Sequence, residues 1–399
     1  MNIDMVQTAA LAVIALYVGE LIKRRSNFLE KYCIPSPVVG GLSFAILFLI
    51  LKQLGFEFTL DTTLQNLFMN MFFTTVGFTA SLKLLNKSGL PVLVFLGVSI
   101  LLIFLQNGLG VVLAGMFKLN PLMGLATGSI PLVGGIGTSG AFGPLLEKAG
   151  AEGATTVAVA SATFGMIVGN IIGNPLAKKL IESHGLAGTY RGDESINLQI
   201  FSESAVAEEL DQVSGKRMYS AFALVFLAMG LGTIISSMFQ KMGLTFPSYI
   251  GAMFAAAIIR NLGDFSGKFK VPEDEIKVTG DITLSIFLAI AMMSLKLWQL
   301  KGLALPLIVI LAFQTLLMIL VAYFITFNAM GRDYEAAVLT SGHCGFGMGA
   351  TSNAMANMRA LTEQYGPAPR AFFVVPLVGS LFIDFFNAFI IVLFMNMVK

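Results

Sequence analysis

A glycine-rich stretch occurs twice in this chain, and both copies lie inside long apolar surroundings. The first reads Ser129-Ile130-Pro131-Leu132-Val133-Gly134-Gly135-Ile136-Gly137-Thr138-Ser139-Gly140. The second reads Ser341-Gly342-His343-Cys344-Gly345-Phe346-Gly347-Met348-Gly349-Ala350-Thr351-Ser352. Glycine inside a helix costs about 1 kcal/mol relative to alanine, so such runs predict interrupted helices. Broken backbone at membrane depth survives only where protein buries it or where it lines a wet cavity. Two breaks at matching places in two halves point to a solute site.

The surroundings have the composition of a membrane protein. Of 399 residues, 56% are hydrophobic and only 12% charged, against about 25% charged in a soluble domain. Mean hydropathy is +0.81. Leu90–Gln106 is a long apolar run with no polar alternation, which predicts a helix and not a barrel strand. The fold class read from these features is an all-α integral membrane protein. A net charge of +2 argues against a nucleic-acid partner, and two cysteines, Cys33 and Cys344, do not make a disulfide framework. The apolar run Val6–Val18 has no basic residue before it and is followed by Lys23, Arg24 and Arg25. It reads as a first spanning helix that enters with its N-terminus outside, not as a cleavable signal.

Ten segments have roughly the 20-residue length needed to cross a bilayer. The first five lie near 6–23, 36–55, 64–82, 90–116 and 155–181, and the second five near 217–239, 246–260, 280–298, 303–329 and 370–397. Between the fourth and fifth of each set is a glycine-rich segment, 121–144 and 334–358, read as a re-entrant or broken helix. The sets share landmarks at a steady offset of 212 to 214 residues. Pro35-Ser36 pairs with Pro247-Ser248, Ser81-Leu82-Lys83-Leu84 with Ser294-Leu295-Lys296-Leu297, and Gly89-Leu90 with Gly302-Leu303. Gly135 and Gly137 pair with Gly347 and Gly349, and Gly165 and Asn170 with Gly379 and Asp384. The expected organisation is a first repeat over 1–183, a linker over 184–216 and a second repeat over 217–399.

Five spans per repeat is an odd number, so the second repeat inserts upside down. With the N-terminus outside, 18 of the 25 basic residues fall on the cytoplasmic side, including Lys83, Lys87, Lys178, Lys179, Arg260, Lys270 and Arg332. The positive-inside rule selects this orientation and places both termini outside. The linker carries Asp193, Glu194, Glu203, Glu208, Glu209 and Asp211 and is expected to be cytoplasmic.

The chemistry is expected at the breaks. Half-helix ends leave N–H groups without partners and carry partial positive charge, which suits a carboxylate. Gly134, Gly135, Gly137, Gly342, Gly345 and Gly347 shape such ends, and the hydroxyls of Thr138, Ser139, Thr351 and Ser352, with unwound carbonyls, can replace the water around a small cation. Close helix packing is the competing use of small residues. Asn353 and His343 join the substrate candidates as hydrogen-bonding groups, His343 alternatively bonding only a backbone carbonyl. Asp384 lies well inside the last span, three residues before Asn387 and so on the same helix face. Asn170 and Asn174 repeat the pattern four residues apart. A carboxylate at such depth faces a cavity, a cation or a partner. Asp384, Asn387, Asn170, Asn174 and Ser341 are the sodium candidates, with a proton-carrying role for Asp384 as the rival. Gln106 and Asn107, inside the fourth span, either line a pathway or cross-link helices. His343 beside Cys344 does not make a catalytic pair, because adjacent residues point apart and no third orienting group follows. No zinc-protease motif or phosphate-cradling loop is present.

These motifs resemble the bacterial sodium/glutamate symporters over nearly the whole chain. The likeness is carried by Gly134-Gly135-Ile136-Gly137-Thr138, by Ala337-Val338-Leu339 leading into Gly342-His343-Cys344-Gly345-Phe346-Gly347, and by Val374-Val375-Pro376 leading to Phe382-Ile383-Asp384. Asn120-Pro121-Leu122-Met123-Gly124 and Ser294-Leu295-Lys296-Leu297-Trp298 fit as well. The resemblance departs at Val133 and Ile136, where the family pattern has serine and histidine. It implies a secondary active transporter that carries L-glutamate, or a related amino acid, into the cell with sodium as coupling ion and no organic cofactor. It also implies an inner-membrane homodimer in which a mobile domain carries the site past a scaffold. A proton-coupled dicarboxylate or amino-acid transporter is the alternative, and a passive channel is a third reading.

Overall fold

The computed structural model describes residues 2–31, 34–56, 58–186, 215–241, 248–267, 269–300 and 302–398. Most of the acidic linker, together with Cys33 and Pro247, lies outside the described residues. Six main helices and two short pieces precede or border the linker, and seven main helices follow it. The first series is α1 (Met5–Arg24), α2 (Ser36–Gln53), α3 (Thr63–Thr79), α4 (Gly89–Met116), the short pieces Pro121–Leu125 and Ser129–Leu132, α5 (Gly135–Lys148) and α6 (Ala154–Ser183). The second is α7 (Gly215–Lys241), α8 (Ser248–Ser266), α9 (Glu273–Met293), α10 (Ala304–Ala329), α11 (Tyr334–Gly347), α12 (Thr351–Tyr365) and α13 (Pro369–Met397). The only sheet among the described residues is a two-residue parallel bridge, Asn2–Ile3 with Thr59–Leu60.

Local sequence sets the helix ends. Asp4 caps α1 in a reciprocal capping box with Gln7. Asp333 caps α11 by accepting from the backbone N–H of Ala336. Eight described helices are long and apolar enough to cross a bilayer, which makes this a multi-pass membrane protein. Helices also form at the third and seventh expected spans, α3 with 17 residues and α8 with 19.

The opening pair of each series crosses through glycine. A Cβ on Gly40 would lie 1.8 Å from the Ala15 carbonyl oxygen, joining α1 to α2. A Cβ on Gly251 would lie 2.2 Å from the Gly232 carbonyl oxygen, joining α7 to α8. Such contacts replace the hydrophobic drive that lipid removes. Two hydrophobic clusters then divide the interior. One is formed by α4, α10, α11, α12, α13 and the distal part of α6. The other gathers α2, α3, α9, the first broken segment and the proximal part of α6. The long α6 therefore runs through both.

The two glycine stretches break differently. In the first, helix stops at Leu132 and resumes at Gly135, whose φ of +65° is left-handed and costs an L side chain strain. In the second, helix runs through Gly342, Gly345 and Gly347, and the break follows at 348–350, where Ala350 is extended. Glycine does not end this helix because close packing repays its cost: a Cβ on Gly345 would lie 2.5 Å from Cα of Ala354 on α12. Two π-helical turns interrupt spans nearby, Val321–Thr326 in α10 and Val378–Phe382 in α13.

Candidate functional site

The breaks meet. A Cβ on Gly135 would lie 3.2 Å from the Gly349 carbonyl oxygen, so the tips of both segments adjoin. Helix α6 presses against the second tip, with Gly165 close to the Met348 carbonyl and Gly169 close to that of Cys344. Polar side chains from four helices converge on this junction. The Ser129 N–H donates to Asn107 Oδ1 at 2.9 Å, and Asn387 Nδ2 donates to the Ser129 carbonyl at 3.3 Å. Asn387 also adjoins Gly134, over which the Thr138 hydroxyl sits. Asn353 Nδ2 donates to the Met166 carbonyl at 2.8 Å. Gln106 Nε2 donates to the Gly347 carbonyl at 2.8 Å, and the Gln106 carbonyl accepts from Gln314 Nε2.

Each of these anchors leaves a polar atom over. Ser129 Oγ, Asn387 Oδ1, Asn353 Oδ1, Gln106 Oε1 and Asn107 Nδ2 are buried without a protein partner, and so are both amide atoms of Asn170, the residue after Gly169 on α6. An unpaired buried polar group costs about 1–3 kcal/mol, and native interiors hold few of them. Several at one junction make a set of oxygen and N–H groups able to bind a polar solute. Amide, hydroxyl and backbone oxygens are also the ligands that suit a hard cation such as sodium. Among the described residues no group of three or more His, Cys, Asp or Glu is placed to hold a metal ion.

Residues 1–367 match the sodium/glutamate symporter family. The chain belongs to that family. It is 39% identical over 396 residues to the sodium/glutamate symporter of Escherichia coli K12, covering 99% of this chain and 98% of the relative. It is 39% identical over 384 residues to that of Haemophilus influenzae, covering 96% and 95%.

In this symporter-family chain the other candidates lie apart from that set, each with its own contacts. Ser341 donates from Oγ to Asn174 Oδ1 at 2.8 Å, so these two bind each other and tie α11 to α6. Asn357 reinforces the tie by donating to the Gly169 carbonyl. Ser139 donates to the Gly135 carbonyl of its own helix, and Gly342 and Gly345 lie at contacts with Met358 and Ala354 of α12. Gly347 adjoins Leu102 and Met318, and Gly137 adjoins Leu284 and Phe72. Thr351 packs beside Gly379 in the π-helical turn of α13.

His343 is fully buried between Phe95 and Phe346, each ring centroid 5.1 Å away, and Nδ1 bonds the Thr326 hydroxyl at 2.8 Å. It lies one turn before the break, engaged by Thr326 and not by Cys344. Asp384 lies one turn from Asn387 and lines a separate cavity of about 480 Å³ together with Thr75, Lys277 and Asp281. Thr79 borders that cavity and donates to the Leu381 carbonyl in the π-helical turn.

Sequence reasoning took Ser129 only as the edge of the glycine stretch and left Asn107 between lining a pathway and cross-linking helices; the bond between them shows the cross-link. The signal that relates them is spatial, since 22 residues separate them along the chain.

Proposed function

We propose that this protein is a sodium-coupled symporter that carries L-glutamate into the cell across the inner membrane. Family membership supports the reaction class, and the names of the relatives supply sodium and glutamate. The observation that carries the reading here is the set of buried polar atoms without protein partners where the two breaks meet. Membership of a symporter family makes the protein a transporter and not an enzyme.

In this reading the two series of helices are inverted repeats over 1–183 and 217–399. Their broken segments are re-entrant, one from each side, and the termini lie outside. Sodium is held by oxygens around Asn387 and Ser129, with Asn170 contributing from α6. The substrate carboxylates meet the N–H groups at the start of α5, from Gly135 to Gly137, and those at the start of α12. Asp384 acts from the neighbouring cavity, within one turn of Asn387. Ser341 and Asn174 hold the ion-side geometry by bonding each other. Transport follows an elevator-like alternating access, in a homodimer. Coupling means that sodium and glutamate raise each other's affinity by the same factor.

The test is ligand-induced thermal stabilisation of the purified protein across L-glutamate, other amino acids and dicarboxylates, with sodium or choline. The expected result is stabilisation by L-glutamate that is several-fold greater in sodium than in choline. Stabilisation equal in choline, or by dicarboxylates lacking the amino group alone, would refute the assignment.

A further inference from the structure

We propose a second solute site: a capture site for an acidic amino acid at the opposite end of the α3–α9 pair from the cavity that holds Asp384. It rests on the transport reading for its choice of ligand, though not for its existence as a binding site.

The cavity has a volume of about 250 Å³ and lies between the start of α3, the end of α5, the start of α6 and the end of α9. That is below the roughly 300–1,000 Å³ of sites for drug-sized ligands, so its occupant is small. Gln65, Thr155 and Gln299 line it, and each has a buried polar atom with no protein partner: Gln65 Oε1, Thr155 Oγ1 and Gln299 Oε1. Gln65 is 7% exposed as a whole residue. Buried amide oxygens without donors are costly, and two of these three atoms accept only. They call for a ligand with several N–H donors, which an ammonium group has. Glu147 lines the cavity too; its Oε1 accepts from the Thr155 N–H at 3.0 Å, and its charge further favours an ammonium.

Two lysines supply the opposite demand. Lys148 and Lys296 line the same cavity from α5 and from the end of α9. A neighbouring cavity shares Lys296 and adds Lys52, whose Nζ lies 4.2 Å over the Trp298 ring. A ligand with one ammonium and two carboxylates satisfies both halves of this lining.

The position suits capture before passage. The Asp384 cavity is bordered by Phe72, Thr75 and Thr79 of α3 and by the start of α9, whereas this one takes the beginning of α3 and the end of α9. Between them, Phe72 and Leu284 stand against Gly137, and Phe287 against Gly140. These side chains are apolar, and along α9 Leu284 and Phe287 fall between the residues that line the two cavities. The charge asymmetry that places the N-terminus outside puts this cavity on the outer side.

Trp298 is the sole tryptophan and lines the neighbouring cavity that shares Lys296 with this one, so its fluorescence is a nearby readout of the site. The experiment titrates L-glutamate into the purified full chain in sodium-free buffer and follows tryptophan emission. We expect a saturable change whose apparent Kd rises at least tenfold in the Lys148→Gln/Lys296→Gln double variant and recovers in Lys148→Arg/Lys296→Arg. The Kd is expected to be unchanged in Asn387→Leu, which alters the junction of the breaks. Glutarate, lacking the ammonium, and L-glutamine, lacking the second carboxylate, should both bind more weakly. No saturable change, a Kd unmoved by loss of both lysines, or a Kd that follows Asn387→Leu would each overturn the proposal. Failure of sodium-driven uptake with this signal intact would count against the transport reading alone.

Discussion

Replacing Asn387 by leucine separates an ion ligand from a structural amide. Asn387 is 1% exposed, donates one bond to the Ser129 carbonyl at 3.3 Å, and leaves Oδ1 without a protein partner. Leucine removes a hydrogen bond with a net contribution of about 0.5–1.5 kcal/mol, and also removes an unpaired acceptor whose burial costs about 1–3 kcal/mol. The Ser129 carbonyl is not orphaned, because it also accepts from the N–H groups of Val133 and Gly134. The two terms nearly cancel, so stability without sodium should shift by no more than about 1 kcal/mol. Sodium changes the comparison. At a concentration of about 100 Kd it stabilises the intact site by about 2.7 kcal/mol, and a hundredfold weaker variant keeps only about 0.4 kcal/mol. The assay is thermal unfolding in detergent, with a sodium titration balanced by choline. The expected result is a near-normal melting temperature in choline and a lost sodium response. A variant with the full sodium response would refute a ligand role for Asn387. A collapse in choline alone would show that the amide is structural.

Further outcomes follow from other contacts. Gly165→Ala places a Cβ 2.2 Å from the Met348 carbonyl oxygen, and overpacking of this kind should cost about 1–3 kcal/mol, read as a lower melting temperature. Unchanged stability would show that α6 does not bear on the second break. Cys344→Ser should retain sodium-dependent uptake, whereas a thiol enzyme would lose all activity. Arg370 pairs with Asp333 at 2.6 and 2.8 Å at a half-exposed position, so Arg370→Gln should cost about 0.2–1 kcal/mol. Asp333→Ala also removes the cap of α11 and should cost more, about 0.5–2 kcal/mol for the cap alone; the reverse order of melting temperatures would refute this. Hydrogen bonds from Thr63 hold the Asp61 carboxyl below its ordinary range. Its stabilising contribution is present above the unfolded value and fades as pH falls through the folded one, so Asp61→Asn should flatten the acid side of the stability profile.

Hydrophobic length made the spans legible, because a bilayer demands about 20 apolar residues per crossing. The helices α4, α6, α10 and α13 fall within a residue or two of the segments read from sequence. The third span was read to residue 82, yet α3 ends at Thr79, where the Ser81 hydroxyl caps a separate short helix, Leu82–Lys87. Glycine content located both breaks, the second of which falls at 348–350, near the end of its stretch. Propensity favours unwinding at Gly342 and Gly345, but packing against α12 keeps them helical. Residue type marked Asn387 and Asn170 as costly polar groups. It did not show that Ser341 and Asn174 spend their polar atoms on each other, that Thr326 engages His343, or that Asp384 lines a cavity whose lining does not include Asn387. Those relations are made by tertiary contact between distant segments.

The central claim is sodium-coupled movement of glutamate, and uptake into proteoliposomes tests it most directly. Purified protein is reconstituted, and L-glutamate accumulation is followed under an imposed inward sodium gradient, an inward proton gradient, or neither. The account predicts accumulation above equilibrium with the sodium gradient only. Accumulation that follows the proton gradient and ignores sodium would contradict it.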